Sequence, residues 1–252
     1  MREVGEVVEV LTTDPATTAL LLDFDGTLSP IVEVASAARP LPGAVEVLAA
    51  LTARFGVVGV VSGRPVAYLV DHLGPGPVLS GLYGLESRRG ESVVTHPEAL
   101  GWRPVLDEVA AEAARVLPAG VDVEHKGYSV TLHVRPVPEA LEDVRAFAER
   151  AASATGLERR VAKMSEELHP PIAVDKGTVV RELVGDLATV AYVGDDVGDR
   201  PAFAALDQLA AEGRRTVKVV VDSAELDPGL REQADLLLDG PPAVLSLLEQ
   251  LR

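Results

Sequence analysis

Asp23 and Asp25 stand two residues apart at the end of the apolar run Ala19-Leu20-Leu21-Leu22. A run of that kind, closed by the turn signal Gly26-Thr27, predicts a strand buried on both faces. Burying a carboxylate costs several kcal/mol unless something pairs with it. Two carboxylates there call for a cation, a proton, or both. In extended backbone, residues two apart share a face, so Asp23 and Asp25 point together and Phe24 turns away. A second acidic group, Asp195, Asp196 and Asp199, follows the apolar run 188–193. Three carboxylates in five residues repel one another unless a cation sits among them. The bland reading of both groups is an Asp-rich turn capping a helix.

Two further stretches carry groups suited to an anion. Ser62-Gly63-Arg64 follows the apolar run Val57-Val58-Gly59-Val60-Val61. A hydroxyl and turn amides at that place can hold a phosphate oxygen, helped by the start of the next helix. A serine helix cap is the commoner role. Arg64 can meet either a phosphate or a carboxylate. Lys176, in Asp175-Lys176-Gly177, opens a helix, where the dipole disfavours a cation. The chain has 19 Arg and four Lys, at 126, 163, 176 and 218. Arg is a planar fork and Lys a compact point charge. Each lysine is therefore a candidate for a point-charge role, with Lys218, inside an apolar run, read as compositional chance.

The elements around these residues alternate. Apolar runs at 19–22, 57–61 and 78–81 read as strands, with helical spacing at 44–54 and 65–73 between them. A short helix over 2–12 precedes them. The rhythm then changes: a hairpin at 82–95, a helix at 97–117, strands at 121–125 and 128–135, a helix at 138–155, and strands at 157–163 and 165–168. From 175 the first rhythm resumes, with helices at 176–184, 201–211 and 241–251 and strands at 188–193, 216–221 and 234–238. The reading is an α/β fold: a doubly wound parallel-sheet core, residues 1–81 and 171–252, with an α+β domain with an antiparallel sheet inserted over 82–170. In open sheets of this class, ligands bind beyond the carboxyl ends of the strands. The motifs Asp23/Asp25, Ser62 and Asp195 follow such ends, and Lys176 belongs beside them.

The motif Asp23-Phe24-Asp25-Gly26-Thr27-Leu28-Ser29-Pro30, together with Ser62-Gly63-Arg64, Asp175-Lys176-Gly177 and Gly194-Asp195-Asp196, resembles the haloacid dehalogenase (HAD) superfamily, and its longer form resembles the trehalose-6-phosphate phosphatase branch. The resemblance spans about residues 19–240. It implies that Asp23 attacks phosphorus and that Asp25 protonates the leaving oxygen. It also implies Mg2+ held by Asp23, the backbone carbonyl of Asp25 and Asp195, with Asp196 and Asp199 behind them. Ser62, Gly63 and Lys176 would hold the phosphate. In the insert, Glu124-His125-Lys126-Gly127-Tyr128-Ser129, the following Leu132-His133-Val134-Arg135, and Glu167-Leu168-His169-Pro170 resemble the branch's sugar-binding segments. Glu124, Lys126 and Glu167 would then bind sugar hydroxyls, with Arg64 and Arg135 as further substrate contacts. The chain departs from the branch at Gly198 (usually Thr), Arg200 (usually Glu) and Tyr83 (usually His).

A hard divalent ion with oxygen ligands suits such carboxylates. The formal net charge of −16 opposes nucleic acid and anionic membranes. With no Cys, disulfides and thiolate chemistry are excluded. The histidines show no metal spacing, and neither a GxSxG elbow nor a P-loop is present. Residues 1–15 lack the basic start and apolar core of a secretory leader, and no run is long enough to span a bilayer. The expectation is a cytoplasmic, monomeric phosphatase of a small-molecule sugar phosphate, with a functional link to a trehalose-6-phosphate synthase. Two alternatives stay open: another sugar phosphate of the sucrose-6-phosphate or mannosyl-3-phosphoglycerate type, or a catalytically weak sugar-phosphate sensor.

Overall fold

Every residue of the strand Thr18–Leu22 is buried, which is what an apolar run with no polar alternation demands of a central strand. This β1 follows helix α1 (Val4–Thr12), and the first half of the chain continues through α2 (Ala44–Thr52), β2 (Val57–Val61), α3 (Val66–Leu73) and β3 (Val78–Gly81). A hairpin, β4 (Glu86–Arg89) and β5 (Ser92–Thr95), comes next. The middle of the chain holds α4 (Arg103–Val116), β6 (Asp122–His125), β7 (Val130–His133), α5 (Leu141–Thr155), β8 (Glu158–Ala162) and β9 (Ser165–His169). The last part holds α6 (Lys176–Val184), β10 (Thr189–Gly194), α7 (Arg200–Ala211), β11 (Arg215–Asp222), α8 (Pro228–Arg231), β12 (Leu236–Asp239) and α9 (Gly240–Gln250). The structure is a computed structural model that describes residues 1–162, 164–223, 226 and 228–252; Lys163, the end of one expected strand, lies outside them.

The chain divides into two compact units, Met1–Val94 with Val174–Arg252, and Thr95–Ala173. The first is built on a sheet ordered β12-β11-β10-β1-β2-β3-β4-β5. All pairs from β12 to β3 are parallel, and β4 pairs antiparallel with β3. Residues of β1 alternate between two cores. Leu20 and Leu22 join α1, α2, α3 and α9 on one face, while Ala19 and Leu21 join α6 and α7 on the other. The chain winds outward from β1 through β2 in one direction, and from β10 through β11 in the other. The gap between those crossovers is the switch point of a doubly wound sheet, where ligands bind.

The hairpin at 82–95 corrects the expected boundary. The sequence reading assigned it to the insert; β4 and β5 instead extend the large sheet from β3, with Ser80 opposite Ser87. A hairpin's own residues fix its turn but not the strand it docks against. The expected helix over 97–117 also differs. Residues Pro97–Trp102 form 3-10 turns and the α-helix starts at Arg103, with Pro104 in its first turn, where its missing N–H is harmless.

The second unit has an antiparallel sheet ordered β6-β7-β9-β8. Val130, Leu132 and Leu168 pack against Leu106, Val109 and Ala113 of α4 and against Val144, Phe147 and Ala148 of α5. Alternation then assigns Glu124, Thr131 and Glu167 to the opposite face, where the register sets them in one row across β6, β7 and β9.

Candidate active site

Three strand ends at the switch point supply the site of the first unit. Asp23 follows β1, and its N–H donates to the Val193 carbonyl at 2.8 Å, tying it to β10. Asp195 follows β10, and Ser62 follows β2. Lys176 is the first residue of α6, where a capping box between Asp175 and Thr178 fixes the helix start. That cap answers the unfavourable dipole: a well-made helix start holds Lys176 while its side chain turns inward. The Lys176 ammonium is buried, 2.9 Å from Asp23 Oδ2 and 2.7 Å from Asp199 Oδ1.

Asp199 is engaged on both oxygens. Oδ1 also accepts from the Tyr192 hydroxyl at 2.7 Å, and Oδ2 accepts the N–H groups of Asp195 at 2.9 Å and Asp196 at 3.1 Å. It therefore orients Lys176 and shapes the turn after β10. Asp196 is exposed and caps that same turn through the Gly198 N–H at 2.8 Å. Tyr192 is a residue the sequence reading missed. The available signal was a phenol inside a buried apolar strand, because such a hydroxyl needs a partner.

Asp195 is the opposite case. It is buried, and its Oδ1 has no hydrogen-bond partner among the described residues. Carboxylate oxygens of Asp23, Asp195 and Asp199 all lie within 4.8 Å of one another. Gly26, at φ 74°, lets this approach happen: a Cβ there would sit 2.1 Å from Asp195 Oδ2. Three ionised carboxylates and one ammonium leave two negative charges, the charge of one divalent ion. Without it, burial first, and then Asp23, Asp199 and Asp196, push the Asp195 carboxyl up to about 10. Burial likewise raises Asp23 well above the usual carboxylate range, with Lys176 pulling it down. Burial works against the Lys176 ammonium, yet Asp199 and Asp23 outweigh it and hold its pKa well above the ordinary value. Burial and Asp199 together raise the Tyr192 phenol, which keeps it a donor. An orphaned buried carboxylate oxygen among all-oxygen donors fits a hard cation such as Mg2+.

The strand β1 ends at Leu22, so the expected alternation does not continue through Asp25. Asp25 instead accepts from Arg64 in a two-point clamp, Nε to Oδ2 and Nη2 to Oδ1, each at 2.7 Å. Its side chain is 37% exposed and stands outside the acidic cluster. Arg64 also lies 4.8 Å from the Tyr68 ring centroid. Of the two partners the sequence left open for Arg64, the structure shows a carboxylate. The loop between them is tightly tied: Ser62 is buried, its Oγ accepts from the Arg64 N–H at 3.1 Å, and its own N–H donates to the Ser80 carbonyl at 2.9 Å. Gly63 lies directly under the Tyr83 ring.

In the second unit, Lys126 Nζ lies 3.9 Å from Glu124 Oε2 and 3.6 Å from Glu167 Oε1. His133 bonds Glu124 at 2.8 Å, and the Ser129 hydroxyl donates to Glu167 at 2.6 Å. The register carries this grouping, since Thr131 pairs with Glu124 on one side and Glu167 on the other. The Thr131 hydroxyl is buried with no partner among the described residues. Arg135 lies just beyond β7, half-buried.

Comparison with known proteins adds the family. Residues 21–240 match the model of the trehalose-phosphatase family. A trehalose-phosphate phosphatase of Mycobacterium leprae is 32% identical over 92% of this chain and 57% of its own length. An uncharacterized glycosyl hydrolase of Mycobacterium tuberculosis is 34% identical over 92% of this chain and 18% of its own. The chain thus spans less than two thirds of these curated relatives. The C-terminal domain of Candida albicans trehalose-6-phosphate phosphatase shares the fold, with a TM-score of 0.81 at 22% identity over 99% of this chain and 96% of that one. By the match over most of its length, the chain belongs to the trehalose-phosphatase family.

Proposed function

We propose that the chain is a Mg2+-dependent phosphatase that hydrolyses trehalose 6-phosphate to trehalose and phosphate through an aspartyl-phosphate on Asp23. The observation that carries this reading is the pairing of a buried nucleophile candidate, Asp23, with Lys176 at 2.9 Å, beside an Asp195 oxygen that lacks any partner among the described residues. Asp23 and Asp195, with the backbone carbonyl of Asp25, would hold the ion. Once bound, Mg2+ supplies charge neutralisation that lets a carboxylate approach a phosphate dianion.

The chain's own groups account for the rest. A carboxylate oxygen of Asp23 forms a bond to phosphorus as the bond from phosphorus to the sugar oxygen breaks. Asp25, released from Arg64, donates a proton to that oxygen. It then takes a proton from the water that attacks the phosphorus of the aspartyl-phosphate, which frees Asp23 and inorganic phosphate. Lys176, the Ser62 hydroxyl and the amides of the loop through Gly63 receive the equatorial oxygens, where charge spreads in the transition state. Asp199 and Tyr192 keep Lys176 aimed. In the second unit, carboxylate acceptors and an ammonium donor, Glu124, Glu167 and Lys126, suit the alternating hydroxyls of a sugar, with Arg135 as a further contact.

A panel of sugar phosphates assayed for phosphate release with Mg2+ tests this. Fastest turnover of trehalose 6-phosphate supports it. Preference for a sucrose or glycerate phosphate redirects the substrate, and release no greater than from an Asp23→Asn variant removes the activity. A cytoplasmic site of action and a trehalose-6-phosphate synthase as supplier of the substrate belong to the same proposal. Among the described residues, no helix is long and apolar enough to cross a membrane.

A further inference from the structure

Leu82 and Tyr83 are the non-glycine residues, among those described, whose backbone lies in the left-handed region, at φ 50° and 57°. For residues with a Cβ this conformation is costly and persists only where the surroundings enforce it. A turn that merely joined β3 to β4 would be relieved by glycine at these positions. Here the strain has an identifiable result. The Tyr83 N–H donates to the Ser62 carbonyl at 3.0 Å, and the Leu82 N–H donates to the Arg64 carbonyl at 3.0 Å. The turn is thereby folded back onto the loop that follows β2, and the Tyr83 ring is laid across Gly63. A Cβ at residue 63 would stand 2.7 Å from both Cζ and the hydroxyl oxygen of that ring. Gly63 is not at positive φ, so the ring rather than the backbone requires glycine there. The Lys176 ammonium is 6.0 Å from the centroid of the same ring, at the limit of the range at which an aromatic face attracts a cation.

We propose that Tyr83 is a positioning residue of the phosphoryl transfer. Its ring braces the Ser62–Gly63 loop and Lys176 in one arrangement, so that the donors to the phosphate stand at a fixed spacing before substrate arrives. The inference rests on the phosphatase reading above and adds a residue to it.

Three variants test it, each read by kcat and KM on a small aryl phosphate with Mg2+, by the affinity for inorganic phosphate from calorimetry, and by the thermal midpoint. Tyr83→Phe keeps the ring and should stay within about threefold of the parent in every constant. Tyr83→Gly removes the ring and relaxes the backbone; Gly63→Ala lifts the ring. Both should lose about tenfold or more in kcat, since small displacements of positioning groups cost rate steeply, and both should bind phosphate more weakly by a comparable factor. Tyr83→Gly should do so without a matching fall in midpoint, which separates positioning from folding. Retention of kcat and phosphate affinity within about threefold in Tyr83→Gly overturns the inference, and so does a Tyr83→Phe variant as impaired as Tyr83→Gly. If the parent itself releases no phosphate, the phosphatase reading fails, and the phosphate affinities alone decide the role of Tyr83.

Discussion

Lys176 and Asp199 form an ion pair at 2.7 Å with both side chains withdrawn from solvent. Their elements, the start of α6 and the turn after β10, are 23 residues apart in sequence and meet over the end of β1. Asp199 accepts from four donors, so both its oxygens are engaged, and through one of them it holds Lys176 beside Asp23. Asp199→Asn should therefore lower kcat by about a hundredfold through a misplaced lysine. It should also cost about 1–3 kcal/mol, because the amide cannot accept all four of the bonds that the buried carboxylate accepts, while Lys176 keeps Asp23 as its counter-charge. Urea unfolding and steady-state kinetics measure the two effects separately.

Metal and pH should act together on stability. Asp195 is pushed up to about 10 and Asp23 above the usual carboxylate range. The metal-free fold therefore holds protons that the unfolded chain, with aspartates near about 4, has released. A raised carboxyl stabilises the fold less and less as pH climbs from the unfolded value toward the folded one. Metal-free stability should fall over that window. Since a cation replaces those protons, the rise in thermal midpoint on adding Mg2+ to chelator-treated protein should be larger at about pH 8 than at about pH 5.5. Equal rises at both would contradict the cluster's role in holding the ion.

Gly26→Ala should disable the acidic cluster at its closest approach. The added Cβ would fall 2.1 Å from Asp195 Oδ2, and φ 74° strains any side chain there. The expected result is a loss of about 1–3 kcal/mol in stability and of most of the Mg2+-induced rise in midpoint. Calorimetric titration with Mg2+ checks the second part directly.

Sugar recognition and phosphoryl chemistry should separate in Glu124→Ala. Glu124 belongs to the row with Lys126 and Glu167 in the second unit, whereas the phosphate groups belong to the first. Turnover of trehalose 6-phosphate should fall by about a hundredfold, in line with the loss of polar contacts that a site is built to make. Turnover of a small aryl phosphate should change by about threefold or less. Equal losses on the two substrates would place Glu124 outside sugar binding.

Much of this was legible before any coordinates. The runs before Asp23, Ser62 and Asp195 are apolar without alternation, which marks central parallel strands, and such strands deliver their following residues to one edge of the sheet. What stayed hidden depends on partners far away in sequence. The strand β4 was readable as half of a hairpin, but nothing in its residues says that Ser87 pairs with Ser80. Arg64 was readable as an anion binder, and only the fold shows that it clamps Asp25. Lys218, dismissed as chance, makes an ion pair with Asp207 of α7. Tyr83 was visible as an odd residue, while its perch over Gly63 needs a backbone conformation that no composition rule predicts for tyrosine.

Asp23 is expected to become phosphorylated in each turnover. Acid quenching of the enzyme during steady-state turnover of trehalose 6-phosphate with Mg2+, followed by peptide mass spectrometry, measures it directly. A phosphoryl adduct is expected on the peptide containing Asp23 and missing from Asp23→Asn. Phosphate release at full rate by Asp23→Asn, or an adduct mapped to a different residue, would contradict it.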